Sequence, residues 1–448
     1  MRKNVLLLAA VLFTTGMMAQ DVQGKWTLKN CIDYAMANNI TLKKSQLNKQ
    51  IAQEDIQQSK AALLPSLSAS TSHSLGYRPW VNGGMSTVAN GTVATSVDKS
   101  YYNGSYGVNA SWTVWNGNKN RNTVKYNNLT AKQAELDSLT SANSIQESIV
   151  QLYVQILYTN EAISVNKQSY EISQKNEARG KEMVAIGKMS KADLAQLTAQ
   201  VAQDQYSVVE AESNLSKYKF QLKQLLELTG DEEFDVAVPV ADDSQVLSDI
   251  PTLVSVYEAA LASRPEIQNG KLAIESSNVS IDLAKAQRMP TVNLTGGVGT
   301  STTSMSDRGW GNQFKTNFDT SLGVSVSVPI FDNRSAKTAV NKAMIQREQS
   351  VLDLQSKQKD LYSTIEGYWI DACTNQAKYK AATASVESAE SSYELLSEQF
   401  RLGLKNIVEL MNGKTNLLTA QQNKLQSKYM TVLDLQLLKF YKGETMNL

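Results

Sequence analysis

Cysteine, histidine and proline are scarce in this 448-residue chain, which has two, one and seven of them. Cys31 and Cys373 are far apart and belong to no Cys-x-x-Cys or Cys/His set, which excludes a zinc or dithiol motif. His73 stands alone, so no histidine relay or metal cluster is available. The few prolines leave long stretches free of helix breakers. Neither sign of charge is in excess, the formal net charge being +1, so composition offers no attraction for nucleic acid. Long apolar runs are missing too, with one exception at the start.

That exception sets the expected compartment. Arg2 and Lys3 precede an apolar run from Val5 to Phe13, and Met17-Met18-Ala19 offers a small residue for cleavage. Residues 1–20 therefore read as a signal peptide, with the mature chain starting at Gln20 or Asp21. The run is too short to span a bilayer. No cysteine sits at the cleavage point, so no lipid anchor is expected.

What is abundant is Gln, Lys, Ala, Ser and Leu, and with them an internal repeat. Thr27-Leu28 and Tyr34-Ala35 recur as Thr252-Leu253 and Ala259-Ala260, and the helix-ending Pro65 recurs as Pro290, all 225 residues apart. Trp115-Asn116-Gly117 matches Phe331-Asp332-Asn333 at an offset of 216, which Gly187/Gly403 and Leu194/Leu410 keep. The nine-residue change falls between proline and turn, where the first copy carries the longer loop. The expected organisation is a first repeat over 21–228, an acidic connector over 229–251 and a second repeat over 252–448. Val236, Val238 and Val240 suggest a short strand in the connector.

Between each proline and its turn the period drops to two. Tyr102, Gly104, Tyr106, Val108, Ala110, Trp112 and Val114 alternate with polar or small residues, and Phe318, Thr320, Leu322, Val324, Val326, Val328 and Ile330 alternate with Asp319, Ser321, Gly323, Ser325, Ser327 and Pro329. Weaker partners run through Leu67, Ala69, Thr71, His73 and Leu75, and through Val292, Leu294, Gly296 and Val298. These predict strands at about 66–77, 102–115, 291–300 and 318–331, long enough to cross a membrane when tilted. The loops around 83–100 and 301–315 read as irregular connections. Four strands cannot close a barrel alone, so a membrane setting requires strands from other copies.

Proline-free stretches from Lys119 to about Ile186 and from Arg334 to about Leu402 predict helices of about 100 Å. Segments of about half that length, 30–64, 188–228, 254–289 and 405–441, would lie end to end beside them. No segment carries a reaction. Glu232-Glu233 and Asp242-Asp243 lack complementary bases and a cleft, and Gly296-Gly297-Val298-Gly299 has no phosphate-cradle context. Cys31 and Cys373 match Val256 and Leu157 across the repeat, so buried free thiols are expected.

The duplicated order of these landmarks resembles the TolC-like outer-membrane efflux protein family over almost the whole mature chain. The resemblance implies a membrane-associated α/β protomer, internally duplicated, three copies of which form an outer-membrane β-barrel continued by a long periplasmic α-helical barrel. It implies an exit channel of a tripartite efflux or type I secretion system, with a periplasmic adaptor and an inner-membrane transporter as partners, and neither enzyme activity nor cofactor. Outer-membrane lipid would meet Tyr77, Trp80, Tyr101, Tyr102, Trp115, Trp310 and Phe331 as interfacial anchors. Gly187 and Gly403 would turn the helices at the periplasmic tip. Asp193 and Glu409 occupy matching places beside those turns; Glu409 and Lys405 match acidic and basic gate positions of the family, whereas Asn412 departs from it. A periplasmic structural or adhesion protein built from long coiled helices is the alternative, and it has no need for membrane-length strands in duplicate.

Overall fold

The computed structural model describes residues 25–81, 84–88, 91–95, 98–229, 234–238 and 243–446. The expected signal peptide, Val240, Glu232-Glu233 and Asp242 lie outside the described residues.

In chain order the elements are α1 (Leu28–Asn38), α2 (Ile40–Ala61), β1 (Ser66–Tyr77), β2 (Gly84–Val88), β3 (Gly91–Thr95), β4 (Ser100–Trp115), α3 (Lys119–Ala185), α4 (Lys191–Leu225), α5 (Asp243–Val246), α6 (Leu253–Ser263), α7 (Pro265–Ala286), β5 (Thr291–Thr303), α8 (Trp310–Thr316), β6 (Asp319–Ser327), α9 (Ser335–Arg401) and α10 (Ile407–Lys442). The repeat is legible in these bounds: α6 and α7 begin 225 residues after α1 and α2, and α9 begins 216 after α3, at the same length of 67 residues. Each long helix is entered through two consecutive left-handed residues, Gly117-Asn118 and Asn333-Arg334. Asn116 Oδ1 and Asp332 Oδ2 then accept backbone N–H groups from Asn120 and Ala336.

Two loops expected to be irregular contain structure, namely the antiparallel β2–β3 hairpin and helix α8. Strand β6 is shorter than expected and stops at Ser327. Pro329 cannot donate to a ladder, so Val328 to Phe331 leave the sheet and Phe331 lies beyond the strand end.

The main sheet is antiparallel in the order β1-β4-β5-β6. Residues in register share a face, and the register sorts the two faces by polarity. Leu67, Ala69 and Leu75 of β1 pair with Ala110, Val108 and Tyr102 of β4. Val298 and Leu294 of β5 pair with Val108 and Trp112, and with Thr320 and Val324 of β6. The opposite face carries Ser66, Ser68, Ser70 and Ser72, then Asn109, Asn293 and Ser325. A bulge between Thr113 and Trp115 brings Trp115 opposite Val292, so Trp115 rather than Val114 continues the apolar row.

The helices form two side-by-side modules. α2 and α4 both pack along α3, α7 and α10 both pack along α9, and α3 contacts α7 and α10. The largest core surrounds the α2/α4 junction, with Cys31, Ile149, Val150, Tyr153 and Leu222 buried. A second core, around Val256, Ile267, Ile365 and Leu438, repeats it in the other module. The connector packs on the outside of both. Trp26 and Val236 form a parallel bridge, Tyr153 Oη donates to Ala237 O at 2.7 Å, and Val246 is buried against Tyr379 and Val432. Cys31 and Cys373 are free, and burial pushes the Cys31 thiol up to about 12.

Asp434 of α10 is buried and accepts from Asn375 Nδ2 at 3.0 Å. Burial, reinforced by Asp371, lifts its carboxyl from 3.8 to about 7. A raised folded pKa means that its contribution to stability is full below pH 4 and is lost as pH rises through 7. Asp434→Asn is expected to flatten the melting temperature across that window and to stabilise the protein at pH 8 by roughly 1–3 kcal/mol, which thermal unfolding at several pH values checks.

Candidate functional site

The end of the helical body remote from the sheet is made by two matching turns. α3 and α9 each stop in a left-handed glycine, Gly187 at φ 71° and Gly403 at φ 77°. Lys188 N–H then bonds Met183 O at 2.8 Å, and Leu404 N–H bonds Gln399 O at 2.9 Å, closing Schellman-type ends. Three residues after each glycine comes a capping side chain. Ser190 Oγ accepts from Asp193 N–H, and Asn406 Oδ1 accepts from Glu409 N–H, each at 3.0 Å.

The two acids therefore occupy the third position of α4 and α10, where a carboxylate meets the positive end of the helix. Asp193 Oδ2 accepts from Ser190 Oγ at 2.8 Å. Glu409 Oε2 accepts from Asn406 N–H at 3.2 Å, and its Oε1 accepts from Lys405 Nζ at 2.5 Å. The Lys405 hydrogen bond, and after it that of Asn406, hold the Glu409 carboxyl below its usual value of 4.5. Lys405 and Glu409 are thus brought together; Asp193 stays within its own turn. An apolar cluster of Leu197, Tyr393, Phe400, Ile407, Leu410 and Leu417 holds the two turns against each other.

A little deeper lies a polar junction that sequence reasoning missed. Lys414 of α10 donates to Asp204 Oδ2 of α4 and, at 2.5 Å, to Ser173 Oγ of α3. Ser173 Oγ donates to Asp204 Oδ2 at 2.6 Å, and Gln200 Nε2 to Asp204 Oδ1 at 2.8 Å. Lys414 and Asp204 are only 5 % and 4 % exposed. Burial holds the Lys414 ammonium below the usual lysine range, against the pull of Asp204. The one available signal was asymmetry, since their counterparts across the repeat are Thr198 and Ala420.

At the sheet, the aromatic residues expected at the membrane interface separate into two groups. Tyr77, Trp80, Tyr101 and Tyr102 mark the loop end, and Trp115 and Phe331 the helix end. From Tyr102 to Trp115 is about 40 Å along the strand, which a tilt of about 40° brings close to the hydrocarbon thickness of a bilayer. Tyr102 stacks on Trp310, which opens α8 and does not sit on a strand, at 5.3 Å between centroids. Tyr101 falls on the polar face, paired with Gly76 and beneath the Arg78 guanidinium. Among the described residues no helix is long and apolar enough to cross a membrane.

The family model for outer membrane efflux proteins matches residues 31–227 and 256–444, both copies of the repeat. The chain belongs to that family. It is 22% identical over 407 residues to the probable efflux pump outer membrane protein TtgC of Pseudomonas putida, covering 88% of this chain and 78% of the relative. Outer membrane protein TolC of Escherichia coli is 23% identical over 413 residues, with the same coverage. Among solved structures, CusC superposes with a TM-score of 0.81 at 18% identity, over 93% of this chain and 92% of its own. VceC of Vibrio cholerae superposes at 0.76 and 17% identity, over 94% and 96%. Membership places the chain in the outer membrane with a periplasmic extension, as a transport conduit rather than a catalyst.

Gly403→Ala is expected to destabilise the protein by about 1–2 kcal/mol, the strain of a Cβ in the left-handed region. Gly367→Ala, at an open helical position of α9, is expected to stabilise it by about 1 kcal/mol. Opposite signs in denaturant unfolding check both. Lys414→Met strands the Asp204 carboxylate and is expected to destabilise by about 3–5 kcal/mol, whereas Lys414→Met with Asp204→Leu recovers most of that loss.

Proposed function

We propose that three copies of this chain close into one outer-membrane duct that passively conducts small molecules or proteins delivered by an inner-membrane transporter through a periplasmic adaptor. The observation that carries this reading is a sheet with one apolar face, one polar face and two open edges, continuous with two 67-residue helices. An open edge in hydrocarbon leaves backbone groups unsatisfied, each at a penalty of several kcal/mol, so β1 of one copy must meet β6 of the next. The polar face of serine, asparagine and threonine then lines water, and the apolar face meets lipid. An adhesive rod has no use for such a sheet.

The paired turns are the proposed aperture. Threefold symmetry makes rings of Asp193 and Glu409 that concentrate negative potential at the narrow end, and Lys405 ties Glu409 within its own turn. Gly187 and Gly403 set the turn geometry. The energy for transport comes from the partner.

Purified trimers in planar bilayers are expected to pass a small, cation-preferring current. Asp193→Asn combined with Glu409→Gln is expected to reduce that preference and raise conductance. Unchanged selectivity in correctly assembled trimers would refute the aperture assignment; a protein that neither trimerises nor conducts would refute the channel.

A further inference from the structure

The two copies of the repeat give an internal comparison at the break between the short helices. In the first copy, α2 starts at a fully satisfied cap. Asn39 Oδ1 accepts from Thr41 and Leu42 N–H, its Nδ2 donates to Leu225 O, and the carboxylate of Glu227 accepts from Ile40 N–H at 3.3 Å. Glu227 does this from a left-handed backbone, φ 59°, at the end of α4. Leu228 N–H bonds Lys223 O there, closing the helix.

In the second copy the helix closes in the same way, but the acid is gone, and so is the N–H it would meet, because Pro265 stands where Ile40 stood. Gly443 takes the place of Glu227, left-handed at φ 92°, and Glu444 N–H bonds Lys439 O in the matching closure. Arg264 stands where Asn39 stood, and no side chain caps α7, whose first residue is Pro265. A cavity of about 560 Å³ opens there, lined by Lys29 and Asp33 of α1, by Arg264 and Pro265, and by Phe440 and Gly443.

Arg264 is only 5 % exposed. Its guanidinium lies over the rings of Tyr441 and Phe440, 3.8 and 4.6 Å from their centroids, and its Nε has no hydrogen-bond partner. The nearest acid, Glu266, stands at 3.7 Å, too far for a hydrogen bond. Of the other acids at the cavity, Glu444 is paired with Lys442 at 2.8 Å, and Asp33 is exposed at the rim beside Lys29. A buried, aromatic-stacked guanidinium lining a cavity is chemistry for an oxyanion.

We propose that this cavity binds a small molecule bearing a carboxylate or phosphate group, whose oxygens occupy the place that the Glu227 carboxylate fills in the first copy. Arg264 holds the anion, and Lys29 attracts it at the mouth. Gly443 supplies the room.

The test uses the detergent-solubilised full assembly, titrated with acetate and, separately, with inorganic phosphate, at ionic strength held constant with chloride. Saturable binding by calorimetry, with the melting temperature rising by about 2–4 °C, is expected for at least one of the two, and which one responds assigns the group. Arg264→Gln is expected to abolish the response. Gly443→Glu puts a carboxylate where the first copy carries Glu227, at the cost of strain at a left-handed position, and is expected to remove the saturable response. No saturable response to either anion in the wild type would overturn the proposal. So would a response that survives in Gly443→Glu, which decides the matter even if Arg264→Gln does not fold.

Discussion

Backbone groups in hydrocarbon must all be hydrogen-bonded, and this protomer cannot meet that demand alone. Its four strands leave the outer edges of β1 and β6 without a partner in the sheet order. The edge strands also expose large apolar side chains, Leu67 and Leu75 on β1 and Leu322, Val324 and Val326 on β6. Such edges in a soluble protein would invite aggregation. In a closed barrel the same row is the lipid-facing surface, and closure by further copies answers both problems together.

That closure constrains everything on the periplasmic side. A β-strand advances about 3.3 Å per residue and an α-helix about 1.5 Å, so a chain passing from barrel to helices must change direction within a few residues. Both copies do so with paired left-handed residues and an Asn or Asp side chain that caps the emerging helix. Each long helix is then accompanied by two short helices laid end to end, and the cores gather where the short ones meet. The repeated turns at the far end put one acid on each α4 and α10 start. Within a protomer Glu409 completes a capping box with Asn406 and Asp193 accepts from the capping Ser190, and the proposed ring of charge arises only when copies assemble.

The long and short helices of the two copies share their bounds almost residue for residue, and the differences between them are chemical. Asp204 and Lys414 face Ala420 and Thr198 across the repeat, so a buried ion pair ties the two modules of one protomer while the corresponding surfaces carry none. Glu227 faces Gly443, and Asn39 faces Arg264. Duplication conserved the frame here and left individual contacts free to diverge. Buried charge is tolerated only where partners exist, and the Lys414 ammonium has Asp204 and Ser173.

Much of this was legible beforehand. The strand alternation, the long helices and the two glycine turns depend on local periodicity and backbone preference, which any short window of sequence displays, and matching such windows along the chain gives the offsets of 225 and 216 residues. The shortened β6, the bulge that brings Trp115 into the apolar row, the stacking of Tyr102 on Trp310 and the placement of Tyr101 on the polar face were not legible, because each depends on pairing with a strand or helix elsewhere. The Lys414–Asp204 junction joins residues more than two hundred positions apart, and no periodicity announces it. The sequence by itself determined the elements, their duplication and the polarity of the strand faces, because these are consequences of side-chain spacing along one chain. Tertiary structure decided which charges are buried together, which caps are filled and where a cavity remains, because those follow from how separate helices meet.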